Sequence, residues 1–231
     1  MTPDDAKKAA GRAAAALVED GMVLGLGTGS TAVHFVDALA ERMRTEGLKV
    51  RGVPTSSGTE AQAKALGIPL LELDEAGEID LTVDGADEIG PGLSLIKGGG
   101  GALLREKLVW EASRRCVVIA DVAKTVARLG RFPLPVEVVA FGHLTTARRL
   151  FDALAEADLG AAPALRKRDG KPFVTDNGGL IYDIACGAIP DPSLLADALK
   201  SVTGVVEHGL FLDLADEALI GGADGVERLT P

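Results

Sequence analysis

Aromatic residues are scarce in this chain of 231 residues: one Trp, one Tyr and six Phe, 3% of the total. Val, Leu, Ile and Ala must therefore fill the core, and a hydrophobic content of 47% is enough for one. Cysteine is almost absent. Cys116 and Cys186 stand far apart and outside any Cys-x-x-Cys pattern, which argues against a disulfide scaffold or a thiolate zinc site and fits a reducing compartment. A basic excess is missing too. With 24 Lys and Arg against 34 Asp and Glu, the formal net charge is −10. That balance argues against general nucleic-acid binding, and an anionic ligand needs a local positive site. No apolar run is long enough to span a membrane. The start, MTPDDAKKAAGRAAAALVEDG, carries Asp4 and Asp5 and reads as ordinary helix, without the order of a signal peptide. The expectation is a soluble, cytoplasmic protein. His34, His143 and His208 are isolated, so no nucleophilic triad is visible.

What the chain does have is alternation. MVLGL (22–26), LKVRGV (48–53), IDLTV (79–83) and RCVVIAD (115–121) read as strands. TAVHFVDALAERM, TSSGTEAQAKALG and LLREKLVWEASR between them read as helices. Strands alternating with helices predict a Rossmann-like parallel sheet covered on both faces. The pattern changes near Phe132. A strand in FPLPVEVVAFG, a helix over 143–157, a strand at ALRKR, a hairpin-like pair in PFVTDNGGLIYDIA, a helix after Pro192 and GVVEHGLFL give β-α-β-β-α-β, a split βαβ unit. This places a smaller α+β domain of ferredoxin-like order at 132–206. Residues 1–131 and 207–231 form the Rossmann-like domain, with ALIGG and GVERL returning to it as short strands.

Ligands of open parallel sheets bind beyond the carboxyl ends of the strands. The first strand delivers GLGTGST (25–31). Its glycines permit close backbone approach, Ser30 or Thr31 is placed to cap the following helix, and the helix N-terminus favours an anion such as phosphate. It is neither a P-loop nor a dinucleotide fingerprint, since no Gly-Lys-Ser/Thr ends it and no acid closes the second strand. A tight turn that binds nothing is the structural alternative. IDLTV delivers Asp84, Asp87 and Glu88. These are a solvated Asx-type turn, or else carboxylates suited to Mg²⁺ or Ca²⁺, although EF-hand spacing is absent. RCVVIAD delivers Asp121 and then Lys124, which can reach an anion above the sheet or be a plain surface lysine.

LIKGGGGALLREK (95–107) places four glycines, Gly98 to Gly101, between Lys97 and a helix. At about 100° per residue, Glu106 falls between Ala102, Val109 and Trp110, with Leu103 close by and Arg105 and Lys107 to either side. A carboxylate in an apolar stripe is desolvated, which favours its neutral form and suits a general acid or base. A structural ion pair is the competing reading, because buried charges are usually paired. The glycines leave room for a small substrate against bare backbone and aim N–H groups at a developing oxyanion, with Lys97 adding a full charge. The alternative is a flexible loop. Together these residues suit proton transfer on a small phosphorylated molecule.

GLGTGST, VDGADE, KGGGGALLREK, IADVAK, FPLPVEV and VTDNGG, in this order and spacing, resemble ribose-5-phosphate isomerase of the A type. The similarity runs from about Lys7 to the GGADGV tail. It implies interconversion of ribose 5-phosphate and ribulose 5-phosphate in the non-oxidative pentose phosphate pathway, without metal or organic cofactor, in a homodimer or homotetramer. The fold it implies agrees with the independent reading above. It also implies roles. Glu106 would be the proton acceptor, and Lys97 with the N–H groups of Gly98, Gly99 and Gly100 would stabilise the enediolate. Asp84 and Asp87, with Gly85 and Ala86 between them, would hold sugar hydroxyls, and one aspartate would assist ring opening. Thr28, Gly29, Ser30, Thr31 and Lys124 would hold the phosphate, with Lys7 as a further contact. Rival readings are a sugar-phosphate sensor, for whose usual helix-turn-helix there is no room before Gly21, an amino-sugar phosphate deaminase, and an acyl-CoA transferase.

Overall fold

The short apolar runs of the first half assemble into one sheet. In a computed structural model that describes residues 2–231, six strands are joined edge to edge. They are β1 (Val23–Leu26), β2 (Arg51–Pro54), β3 (Leu81–Gly85), β4 (Cys116–Asp121), β5 (Glu217–Gly222) and β6 (Gly225–Leu229). Their order is β6-β5-β4-β3-β1-β2. Neighbours are parallel except β5 and β6, which pair antiparallel. The tail thus returns to the sheet, with its last strand reversed at the edge.

Every residue of β1 and β4 is buried, as it must be when both faces are covered. Alternate side chains go to opposite sides. Leu24, Leu26, Leu81 and Val83 join a core with Ala10, Ala14, Phe35 and Leu39. Val23, Val53 and Ile79 pack instead with Val109. The first face is covered by α1 (Pro3–Ala15) and α2 (Ala32–Glu46). α1 opens on a capping box of Thr2 and Asp5, and α2 stops at Gly47, whose φ of +73° ends the helix. Two further helices, α3 (Ser57–Ala65) and α4 (Leu103–Glu111), follow β2 and precede β4.

By contact the chain forms two compact units. The first runs to Ala86 and resumes over Arg105–Thr125 and Asp213–Pro231. The second comprises Asp87–Leu104 and Val126–Leu212. The segment 87–104 groups with the second because Glu88–Ile89, Leu95–Ile96 and Leu210–Phe211 make one three-stranded antiparallel sheet.

The second unit also holds four antiparallel strands in the order Val205–His208, Leu134–Val138, Leu180–Ile184, Pro163–Leu165. With α5 (His143–Glu156) and α6 (Pro192–Lys200) they complete the β-α-β-β-α-β order. Val136, Val138, Leu150, Leu154, Tyr182, Ile184, Leu195 and Leu199 fill the core between strands and helices. The expected hairpin over 172–185 is reduced to a single bridge, Val174 to Leu180. Lys171–Pro172 pairs with Lys167–Arg168 instead. The Thr175 hydroxyl accepts from Gly179 N–H at 3.0 Å and donates to Glu137 Oε1 at 2.6 Å, tying the turn to the strand Leu134–Val138 rather than to a ladder of its own. ALRKR likewise splits into two strands of different sheets, on either side of Arg166.

Candidate active site

β1 has β2 on one side and β3 on the other, so the sheet changes direction there. The loops leaving β1 and β3 lie at this switch point, the place where open α/β sheets bind ligands. Packing explains the glycines of the first loop. A Cβ on Gly25 would stand 1.8 Å from Thr82 Oγ1, and one on Gly27 would stand 2.3 Å from Asp84 Oδ1 and 2.5 Å from Asp84 Cα. Asp84 is buried, not a solvated turn residue. Its Oδ1 accepts from Thr28 N–H at 2.9 Å and from Gly85 N–H at 2.7 Å, clamping the ends of β1 and β3 together.

The Thr28 hydroxyl joins a cluster that the sequence reading missed. It lies 2.7 Å from Thr55 Oγ1, 2.8 Å from Ser56 Oγ and 3.1 Å from Thr59 Oγ1. Ser56 caps α3, and the Thr59 hydroxyl donates to Gly27 O at 2.9 Å. The expected capping of α2 by Ser30 or Thr31 does not occur. Thr31 occupies the cap position in helical conformation and makes no side-chain cap bond. Ser30 Oγ instead accepts from Lys7 Nζ at 3.0 Å. α2 therefore begins with no side chain over its N–H groups, beside a lysine, and this combination favours an anion. Gly29, with a φ of +107°, turns the chain into this position. Lys124 follows β4 on a short turn capped by Asp121, half-buried after the strand adjacent to β3.

Glu106 sits on α4 with only 3% of its surface exposed. Ala102, Leu103, Val109 and Trp110 around it are buried, as the helical spacing predicts. Val109 packs on the bare backbone of Gly25, so β1 fixes the position of this helix. Lys107 is buried too, although the spacing sets it to the side of the stripe.

Asp87, Lys97 and the glycine turn belong to the second unit. Asp87 N–H donates to Ile96 O at 2.8 Å, and Asp87 Oδ2 accepts from Gly99 N–H at 2.7 Å. Glu88, its neighbour, goes elsewhere. It is buried and accepts from Gly130 N–H at 2.8 Å and Phe132 N–H at 2.6 Å. The acidic cluster is therefore not one group of ligands. Among the described residues no set of three His, Cys, Asp or Glu side chains is placed to hold a metal ion. Lys97 is 2% exposed, with Nζ 5.3 Å from the centroid of the Phe211 ring. Gly98 to Gly101 form a tight turn, Gly101 N–H donating to Gly98 O at 3.0 Å. Gly98 and Gly101 have φ of +99° and +92°, and Phe173 leaves no room for a Cβ on Gly101.

A parallel sheet with a glycine-rich, hydroxyl-lined loop at its switch point places the chain in the Rossmann-like class of α/β proteins. Within that class it belongs to the ribose 5-phosphate isomerase A family: the model for ribose 5-phosphate isomerase A (phosphoriboisomerase A) matches residues 51–225. A ribose-5-phosphate isomerase A of Caulobacter vibrioides is 67% identical over 232 residues, covering all of both chains. One from Nitrobacter hamburgensis is 57% identical over 98% of this chain and 97% of its own. Among solved structures, ribose 5-phosphate isomerase from Plasmodium falciparum superposes with a TM-score of 0.94 at 38% identity over 99% of each chain. A D-ribose-5-phosphate isomerase in complex with phospho-erythronic acid gives 0.92 at 35% identity over the whole of both chains.

Proposed function

We infer that the chain is an aldose–ketose isomerase that interconverts D-ribose 5-phosphate and D-ribulose 5-phosphate in the non-oxidative pentose phosphate pathway. Full-length kinship with enzymes of that name supports the reaction. The observation that carries the residue assignment is the burial of Glu106 on the helix into which the Lys97–Gly101 turn leads. Glu106 takes the proton from C2 of the open-chain aldose and returns it to C1, the adjacent carbon, while the hydroxyl proton passes from O2 to O1. Lys97 and the N–H groups of Gly98 and Gly100 stabilise the negative oxygen of the enediolate between the two transfers, while Gly99 N–H holds Asp87. Asp87, less buried than Asp84, meets sugar hydroxyls and assists ring opening. Asp84 holds a hydroxyl beside the clamp it already forms. Gly85 and Ala86 continue that wall. Thr28 to Thr31, Lys7 and Lys124 hold the phosphate, and this anchoring fixes the reacting carbons near the base, worth several kcal/mol in order-of-magnitude terms. The scheme calls on no metal or organic cofactor. The working form proposed is a cytoplasmic homodimer or homotetramer.

Replacing Glu106 by Gln keeps the shape and removes the base. Turnover of ribose 5-phosphate should fall at least about 100-fold, the scale of a positioned general base, with substrate still bound. In wild type, deuterium from solvent should enter the product carbon. A Glu106→Gln enzyme that isomerises at wild-type rate would end the assignment.

A further inference from the structure

Arg166 is a positively charged residue that the reaction scheme does not use. It lies in the short gap between the strands Pro163–Leu165 and Lys167–Arg168. Both of those neighbouring basic residues, Lys167 and Arg168, are exposed, whereas the Arg166 side chain keeps only 14% of its surface. Its backbone is held on both sides, N–H to Ile181 O at 2.8 Å and O from Phe173 N–H at 2.9 Å. Asp183 grips the guanidinium in two places, Nε to Oδ2 at 2.9 Å and Nη2 to Oδ1. This fork fixes the plane of the group. The remaining nitrogen, Nη1, donates to Gly98 O at 2.9 Å and to Gly99 O at 3.2 Å.

Those two carbonyls belong to the glycine turn. A peptide unit is planar and trans, so its N–H points opposite to its C=O. Fixing Gly98 O therefore aims Gly99 N–H away from Arg166, where it meets Asp87 Oδ2 at 2.7 Å. Fixing Gly99 O aims Gly100 N–H away in the same manner, on a part of the turn that is exposed. A cation on a carbonyl also polarises that peptide and strengthens the N–H at its other end as a donor. Four glycines alone would hold no such direction, because glycine is the most permissive residue.

We propose that Arg166, clamped by Asp183, is the positioning residue of the glycine turn: it orients and polarises the two peptides so that Gly99 N–H sets Asp87 and Gly100 N–H faces the enediolate oxygen. This rests on the reading of the turn as an oxyanion-stabilising element. Arg166 itself touches no reacting atom.

The test uses the full-length enzyme with Arg166→Ala, Arg166→Lys and Asp183→Asn. Losing a direct oxyanion donor costs about 100- to 1000-fold in kcat, and an indirect loss should cost less, about 10- to 100-fold for Arg166→Ala. KM should change far less than kcat. Inhibition by phospho-erythronic acid, the compound bound in a related structure, should weaken about tenfold, on the same scale as the lost peptide polarisation. Inhibition by inorganic phosphate, which needs only the anchor, should stay as in wild type. Millimolar guanidinium should restore part of the lost kcat in Arg166→Ala. Arg166→Lys should not restore it, since one ammonium cannot hold a carboxylate and two carbonyls in a plane. Asp183→Asn should shift kcat in the same direction by less. A wild-type kcat in Arg166→Ala would overturn the proposal, as would equal weakening of both inhibitors. If Arg166→Ala yields no folded protein, wild-type kcat in both Arg166→Lys and Asp183→Asn overturns it. Should the unmodified enzyme fail to turn over ribose 5-phosphate, the functional reading falls instead, so the two failures are distinct.

Discussion

The chain has two glycine-rich turns, and they are glycine-rich for different reasons. In the loop after β1, Gly25 and Gly27 are required by what stands opposite them: the Thr82 side chain, Asp84 and its backbone. In the turn after Lys97, Gly98 and Gly101 are required first by their own dihedrals, with φ near the values only glycine adopts readily, and Leu103 and Phe173 crowd a Cβ there as well. The first loop is a packing solution, locked into the sheet. The second is a direction-setting solution, whose carbonyls are held by a side chain. This difference predicts that a methyl group added to each will be felt in different measurements.

Gly27→Ala should have the largest effect on the fold. The new Cβ meets Asp84 at its backbone as well as its carboxylate, and backbone cannot rotate out of the way. The loss should approach about 3 kcal/mol, the upper end for overpacking. Thermal unfolding should register this as a Tm lower by about 6 to 12 °C for a chain of this size. KM should rise with it, because the Thr28 N–H to Asp84 bond sets the phosphate loop. Gly99→Ala should behave otherwise. Its Cβ would stand 2.7 Å from Asp87 Oδ1, the far end of a side chain that can turn aside. Stability should stay near wild type while kcat falls about tenfold, equivalent to 1.4 kcal/mol in the barrier. If Gly27→Ala lowered only kcat, or Gly99→Ala lowered only Tm, the contrast between the loops would be reversed.

How much of this was legible in the chain follows the length of the signals. The sheet was readable because β1, β3 and β4 are apolar runs joined by helix-period segments. The buried Glu106 was readable because its neighbours recur at helical spacing. The three-stranded sheet of Glu88–Ile89, Leu95–Ile96 and Leu210–Phe211 was not, since two-residue strands carry no period. The acidic cluster DGADE looked like one feature. Asp87 stands in a bend and Glu88 opens the short strand after it, and the Glu88 carboxylate closes the 130–132 loop instead. The capping of α2 failed for a similar reason. The Ser30 hydroxyl accepts from Lys7, 23 residues earlier, and no local rule announces so distant a partner. Arg166 was hidden inside ALRKR, which reads as a plain strand, and its contacts run to Asp183 and to two carbonyls far along the chain.

Gly29→Ala should have the smallest effect and is the sharpest test of the contrast. Gly29 belongs to the first loop, yet nothing stands within 4 Å of where its Cβ would be, and its φ is +107°. It is therefore a direction-setting glycine inside the packing-determined loop. Alanine has space there and only the backbone resists it, at roughly 1 to 2 kcal/mol for an L-residue in this half of the dihedral map. The chain can relieve that strain by rotating the peptides at the start of α2, which carry no side-chain cap to hold them. The N–H groups proposed to receive phosphate would then turn. KM for ribose 5-phosphate should rise about five- to tenfold, equivalent to about 1 to 1.4 kcal/mol and so the lower part of that range, while kcat at saturation and Tm change little. A fall in kcat with KM unchanged would place this glycine with the second turn and would break the assignment of the first loop to phosphate.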